Sequence, residues 1–422
     1  MNEDFLHYIW KNTDYPKISL ISDTGEKVNV IDVGVRNTNQ GPDFTNAKIE
    51  LNGQLWAGNI EIHTISSHWY QHGHNRDNNY DNVILHVVAE NDNPILNSKG
   101  RQIPTVTLPY PKEMEAKYNE LMLKKSEIPC YTELPQLDNF RVSFWLESLV
   151  VERIETKTEQ IKSYLESTKN DWNEAFYITL CRYFGMKVNA DPFERLARAL
   201  PLKIINKHHN NVFQLEALLY GQSGLLPDTP SDEYTEELIK EYKYLKKKYQ
   251  LISLDSPGWN YHRLRPVNFP TIRISQLANL IAKSSHLFST ITTTESVKEL
   301  KTLLQAGVSE YWESHYQFGK SAVKKTKNTG AQFAQILIIN TVIPFLFVYG
   351  KIKPNSKITD RALEFLQDLP SEKNSIVSLW EEYGIKSLNS STSQALIHLK
   401  SAYCDRKACI KCQIGHMVLS RG

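Results

Sequence analysis

Five cysteines in 422 residues, three of them crowded into 404–412, do not make a secreted disulfide framework. An intracellular metal site is the more economical use of them. No uninterrupted apolar run reaches the ~20 residues that cross a bilayer. The longest, 336–349, is broken by Asn340 and Pro344 and reads as a buried helix. The first twelve residues carry Glu3, Asp4 and His7 in an amphipathic pattern without the apolar stretch and cleavage site of a targeting peptide. A cytoplasmic protein with no membrane partner is therefore expected. Repeats of fixed period and low-complexity tracts are missing too, which argues against a solenoid or a tandem array.

What is present is an ordinary globular composition, 41% apolar and 23% charged, in a chain longer than one core. Two domains are expected. The net charge of +2 conceals a division: residues 1–136 hold 12 Lys+Arg against 18 Asp+Glu, leaving 37 against 29 for the rest. An acidic part beside a basic part suits a metal site next to a polyanion-binding surface. A solvated helical surface rich in Lys accounts for the charge equally well.

The spacing of Phe5, Leu6, Ile9 and Trp10 predicts a first short helix. Residues 18–22 and 27–35 read as a hairpin around Thr24-Gly25, and Asn52-Gly53 joins two further antiparallel strands, 47–51 and 55–63, since both turn positions tolerate positive φ. Ser66 or Ser67 can cap a short helix running to His74; residues 75–82 are loop-like, 83–88 a buried strand, and 102–108 has strand character. From Asn139 the pattern is helical, over 144–167, 171–184, 192–200, 212–220, 235–245, 274–282, 296–311, 329–348, 357–366 and 391–401. Two non-helical joints, 221–232 and 256–270, interrupt it. The fold expected is α+β: a mixed sheet with flanking helices over 1–127, then a large all-α domain over 137–422 with a Cys-rich tail at 404–416.

The chemistry concentrates in residues 41–88, which hold five of the thirteen histidines (His63, His68, His72, His74, His86) and the acids Asp43, Glu61, Asp77 and Asp81. Strand alternation puts Glu61 and His63 on one face and Ile60 and Ile62 on the other. Folding the hairpin about Asn52-Gly53 brings residue 43 opposite residue 62. Asp43 and Glu61 are then neighbours on opposite faces, and sharing a cation needs a bend, which Gly41-Pro42 makes credible. His68 and His72, four apart on one helical face, could touch phosphate or a second metal. Each of these histidines could equally stack and hydrogen-bond in a wet cleft. His86 inside an apolar strand reads as a satisfied core histidine, and Asp77 and Asp81 as turn residues.

Pro42-Asp43 followed by Glu61-Ile62-His63, on a hairpin after a first helix and before another, resembles the PD-(D/E)XK nuclease superfamily, the restriction-endonuclease-like fold. The resemblance covers roughly the first 110 residues. It implies that Asp43 and Glu61 bind Mg²⁺ (or Mn²⁺) with the Ile62 backbone carbonyl and that His63 stands at the Lys position, with Glu3 or Asp4 as a first-helix acid. A neutral His cannot supply the fixed charge of Lys, though it can act as a base near neutral pH. The implied activity is metal-assisted phosphodiester hydrolysis of DNA or RNA. The GPDF, EIH, HGH, YDNVILHVV and RLRPVNFP stretches also resemble, across the whole chain, an uncharacterised bacterial domain-of-unknown-function family, which brings no activity with it.

Cys404, Cys409 and Cys412 with His416 form C-x4-C-x2-C-x3-H, a donor set for tetrahedral Zn²⁺, and Cys130 is the alternative fourth ligand. Some nucleases of the same superfamily hold an iron–sulfur cluster on one remote and three clustered cysteines, which makes that cluster the second option here. Cys181, in an apolar helix, reads as core. Arg263, Arg265 and Arg273 among Trp259, Tyr261 and Phe269 suit a phosphate backbone with stacking partners, or an ordered loop paired with acids. Three functions follow as expectations. The first is a Mg²⁺-dependent nuclease with a helical nucleic-acid-binding domain, using His68, His72, His74, Arg263 and Arg265 on substrate. The second is an inactive nucleic-acid-binding protein that keeps the nuclease-like sheet, and the third a His-rich hydrolase of a small substrate holding Zn²⁺ or Mn²⁺ on His68, His72 or His74.

Overall fold

Asn2 caps the first helix, α1 (Glu3–Asn12): its side chain accepts from the Phe5 N–H at 3.0 Å, and Glu3 and Asp4 fill the first turn, where the helix dipole favours negative charge. Phe5, Leu6 and Trp10 on its apolar stripe are fully buried. The computed structural model describes residues 2–254, 258–284, 286–353 and 355–421; residues 255–257, where the sequence places the start of the 256–270 joint, lie outside the described residues. The protein is mixed α+β and 55% helical. It divides into two units, Met1–Val142 with Lys400–Gly422, and Ser143–Leu399.

The first unit is organised on one mixed sheet. Its strands are β1 (Leu20–Ile21), β2 (Lys27–Asp32), β3 (Val35–Arg36), β4 (Phe44–Leu51), β5 (Gln54–Ile65), β6 (Val83–Glu90) and β7 (Thr105–Thr107). They lie in the order β1-β2-β4-β5-β6-β7, with β3 on β4. Pairing is antiparallel as far as β5 and parallel from β5 to β7. Asn52 (φ 48°) and Gly53 (φ 83°) form the turn expected of that dipeptide. The near-continuous apolar run of β6 reflects a parallel strand buried on both faces.

Parallel β5 and β6 require a crossover, supplied here by α2 (His68–Gln71) and two 3-10 turns, His74–Arg76 and Asn78–Tyr80. A small core of Trp69, Tyr80, Val83, Ile95 and Ile103 holds it down, and the Trp69 indole N–H donates to Leu96 O at 2.9 Å. Neither candidate serine caps α2 through its side chain. The Ser66 hydroxyl lies 2.8 Å from Asp92 Oδ1 and from Asn93 O, tying the crossover to the loop after β6. The strand expected over 102–108 shortens to β7. Residues 112–123 form an unforeseen helix, α3 (Lys112–Leu123), which buries only Tyr118 and Leu121 and so carries little apolar periodicity to be read.

The second unit is helical. Its expected helices occur as α4 (Asn139–Ser167), which leads into it, then Trp172–Phe184, Ala190–Ala199, Val212–Gln222, Glu233–Tyr249 and Pro270–Lys283. The helix expected over 296–311 stops at Leu303, and a separate turn forms at Glu310–Glu313; Gly307 lies in the break, where a helical backbone is costly. The apolar run at 331–352 is helical throughout, with a π turn, Ile338–Val342, that ends two residues before Pro344, whose missing N–H disturbs the regular ladder. By length and composition it could cross a membrane, yet 78% of its most apolar window is buried within the protein, as in a core helix.

The Cys-rich tail belongs to the first unit, not to the helical domain in which chain order places it. Its final helix, Gln413–Leu419, packs on α3. Lys400 Nζ sits 3.1 Å from Glu127 Oε2, and the Lys407 ammonium donates to the Met122 carbonyl.

Candidate functional site

Register decides what the β4–β5 hairpin can display. Paired strictly from its turn, Asp43 would stand opposite Ile62. Instead Ala47 pairs with Gly58 while Phe44 pairs with Ile60, so one additional residue is absorbed at Thr45–Asn46. Asn46 takes up the bulge with φ 58°, a left-handed conformation that Asn tolerates. The irregularity is four residues further along than the expected Gly41-Pro42 bend, and it brings Asp43 opposite Glu61 on one face. Asn46→Val is expected to cost about 1–2 kcal/mol relative to Asn46→Gly, because a β-branched residue resists that backbone. Equal denaturation midpoints for the two variants would show that the bulge does not depend on it.

The two acids are locked to each other's backbone. The Asp43 N–H donates to Glu61 Oε2 at 3.1 Å, and the Ile62 N–H donates to Asp43 Oδ2 at 3.0 Å. From α1, His7 Nε2 lies 3.1 Å from Asp43 Oδ2, while His7 Nδ1 is 3.0 Å from Arg36 Nη2. A guanidinium only donates, so Nδ1 accepts and the ring proton sits on Nε2, facing Asp43. Arg36 also binds Asp4 at 2.8 Å. Asp4 is thus held by Arg36, while Glu3, one turn before His7, acts on Glu61 and His74 only as a nearby charge. Burial, and next the Asp43 carboxylate, push the Glu61 carboxyl far above the ordinary range.

Beyond Glu61 lies a packed group of imidazoles. Glu61 Oε1 is 3.2 Å from His74 Nε2 and 3.7 Å from His63 Nε2, and His63 Nε2 is 3.1 Å from His72 Nδ1. Gly73, at φ 75°, makes the convergence possible: on a continuing helix His72 and His74 would diverge, whereas the left-handed residue turns both rings to one point. Behind them His63 Nδ1 meets His86 Nε2 at 2.9 Å, and His86 Nδ1 is 3.5 Å from the Thr105 hydroxyl. Tyr80 stacks on His74 with centroids 3.8 Å apart. Burial first, then the neighbouring imidazoles, hold His63 down to about 2 and His86 to about 3, so both rings are neutral. His72 alone of the three converging histidines is exposed.

The structure therefore gathers Asp43, Glu61, His63, His72 and His74, and leaves some expected residues aside. His68 does not pair with His72 as a ligand couple; its Nδ1 lies 3.4 Å from the Thr64 hydroxyl. Asp77 caps a 3-10 turn, and Asp81 binds Ser98 and Lys99. Arg263 and Arg265 are exposed in the helical unit. Arg273 is not free to grip phosphate: it is buried over the Phe333 ring at 3.5 Å and bound to Asn268 and Gln276. His7, Arg36, Tyr80 and the partnership of His86 with His63 escaped the sequence reading. A histidine among the apolar positions of α1 was the one signal for His7.

In the tail, Cys130, Cys404, Cys409 and Cys412 are all buried, and the first three have thiol pKa values raised by burial and then by other cysteines of the group. His416 Nδ1 lies 2.7 Å from the Tyr8 hydroxyl, and Cys130 interacts electrostatically with Cys404, Cys409 and Cys412. Among the described residues, the group of three ligand atoms found within 4.8 Å of one another is that of His63, His72 and His74. Neither the curated proteins nor the solved structures contain a match to this chain. A family model described as "Protein of unknown function (DUF2851)" matches residues 3–375, spanning the cleft and most of the helical unit but ending before the Cys-rich tail, and the chain belongs to that family.

Proposed function

We propose that this protein is a divalent-cation-dependent nuclease built on a restriction-endonuclease-like core. The observation that carries the reading is the Thr45–Asn46 bulge, which sets Asp43 against Glu61 on one strand face. The element order supports it: a first helix, an antiparallel hairpin bearing both acids, a short helical crossover and a parallel strand. Asp43 has one oxygen held by the Ile62 N–H and His7, which leaves Oδ1 for a cation; Glu61 and the Ile62 carbonyl would complete the protein's share. A bound Mg²⁺ or Mn²⁺ supplies an acidified water and offsets charge on the scissile phosphate.

The substrate we favour is nucleic acid. A cleft of about 680 Å³ beside His7 is lined by Lys11, Arg36, Lys411 and His416, cationic or neutral donors with no carboxylate among its lining residues. Arg263 and Arg265 are further proposed contacts to backbone phosphate. Incubation of single- and double-stranded DNA and RNA with Mg²⁺ or Mn²⁺ tests the proposal, and intact substrate under every condition rejects it. One observation favours the second reading, a non-catalytic nucleic-acid-binding protein: the Lys position is held by His63, buried and neutral. That reading predicts salt-dependent binding without turnover.

For the tail, the proposal is a structural Zn²⁺ held by Cys130, Cys404, Cys409 and Cys412, the thiols closing on the ion as thiolates. A colourless protein with zinc that is lost in Cys404→Ser is expected from elemental analysis. Brown protein with iron would replace zinc by an iron–sulfur cluster, and neither metal would reject the site.

A further inference from the structure

Beside Glu61 stand three imidazole nitrogens that no Mg²⁺ site of the proposed kind needs, and with one oxygen of Glu61 they make four donor atoms. They are Glu61 Oε1, His63 Nε2, His72 Nδ1 and the His74 ring nitrogen. His63 Nε2 lies 3.1 Å from His72 Nδ1, and Glu61 Oε1 lies 3.2 Å from His74 Nε2 and 3.7 Å from His63 Nε2. A tetrahedral ion with bonds of about 2.05 Å needs its ligands roughly 3.3 Å apart; these three separations lie close to that, and the ligand atoms of His63, His72 and His74 all fall within 4.8 Å of one another. Three imidazoles and one carboxylate oxygen suit Zn²⁺ and similar transition ions, whereas Mg²⁺ takes oxygen donors and keeps water.

We infer that Glu61, His63, His72 and His74 form a transition-metal site of the Zn²⁺ class, distinct from the carboxylate position of Asp43 and sharing Glu61 with it. The inference rests on the reading of this cleft as a metal centre and assigns it a second ion of different chemistry. The surroundings fit a ligand set. With His63 Nε2 given to a cation, its Nδ1–H donates to His86 Nε2, and the His86 Nδ1–H points at the Thr105 hydroxyl. This is the outer hydrogen-bond relay that orients a metal-bound histidine. It also accounts for an imidazole pair buried in a sheet, which a phosphate-binding role would not require. Tyr80 stacked on His74 fixes that ring, and Gly73 aims it together with His72. The site opens to solvent through His72, so an ion can enter without unfolding.

The experiment is titration of the purified full chain with Co²⁺, followed by its visible spectrum and by calorimetry. Expected is binding of one Co²⁺ with the weak bands of nitrogen and oxygen ligation, apart from any intense thiolate charge-transfer band that the tail cysteines give. His72→Ala and His74→Ala should each weaken this binding at least about tenfold, while His68→Ala leaves it within about twofold. His72 is exposed and outside any core, so His72→Ala decides the matter even if His74→Ala fails to fold. Parental Co²⁺ affinity in His72→Ala, loss in His68→Ala instead, or thiolate bands alone would overturn the site. Asp43→Ala should keep Co²⁺ bound while losing Mg²⁺-dependent cleavage, so failure of the nuclease reading and failure of this site give different results.

Discussion

Asp43→Ala is expected to lower cation-dependent cleavage roughly 10³-fold or more, equivalent to about 4 kcal/mol of transition-state stabilisation. The loss is large because the residue does two things at once. In the proposed site it would offer a cation an oxygen and a charge, and its other oxygen takes the Ile62 N–H at 3.0 Å, which aligns the backbone between the two acids. Asp43→Asn separates these roles, since an amide oxygen can keep the Ile62 bond while the charge is gone. A comparable loss in both variants would place the effect in the charge. Glu61→Gln should lose activity similarly, although burial already favours its neutral form before a cation arrives. Uncleaved substrate should still bind, with an affinity that falls as salt rises. Parental cleavage rates in Asp43→Ala would remove the acid pair from the mechanism.

The second large effect concerns stability of the helical unit. Glu216→Leu is expected to cost about 3–5 kcal/mol, the range for stripping the partner from a buried polar group. The Glu216 carboxyl is fully enclosed and accepts from three hydroxyls: Ser275 at 2.5 Å, Tyr234 at 2.7 Å and Ser309 at 2.9 Å. Burial raises its pKa while those three bonds lower it. Ser275 also accepts the Ser309 N–H at 3.1 Å, so one side chain joins helices Val212–Gln222, Glu233–Tyr249 and Pro270–Lys283 to the turn at 309. Leucine fills the volume but leaves three hydroxyls dry. Glu216→Gln keeps acceptor capacity on one oxygen and should cost about 1–2 kcal/mol. Denaturant unfolding followed by tryptophan fluorescence measures both, and a cost below about 1 kcal/mol for the leucine variant would show that the network contributes little.

Local patterns in the sequence carried much of this architecture. Asn52-Gly53 specified a turn because few residues accept two consecutive positive φ angles, and the turn set the pairing Leu51 with Gln54. The helices of the second unit were legible from their apolar stripes and caps, such as Asp171, whose side chain accepts from the Asn173 and Glu174 N–H groups. Less legible were elements that bury little, such as α3, or that stop short of their apolar pattern, as the helix after Ser296 does at Leu303.

For the site, the sequence by itself determined which residues had the chemistry: two acids on a hairpin, a dense set of histidines in 63–86, and thiols near the end. Which of them meet was decided only in three dimensions. The bulge at Thr45–Asn46 reverses the face that Asp43 presents, and along β4 its one local trace is that Phe44 is buried out of phase with Ala47, Ile49 and Leu51. The choice of His72 and His74 over the His68–His72 pair follows from one left-handed glycine, which ends the helical geometry on which i,i+4 reasoning depends. His7 comes from α1 and Cys130 from the segment after α3, positions separated by 36 and 274 residues from Asp43 and Cys404 in the chain. Such meetings are set by how elements pack, and local spacing along a strand or helix has no means of expressing them.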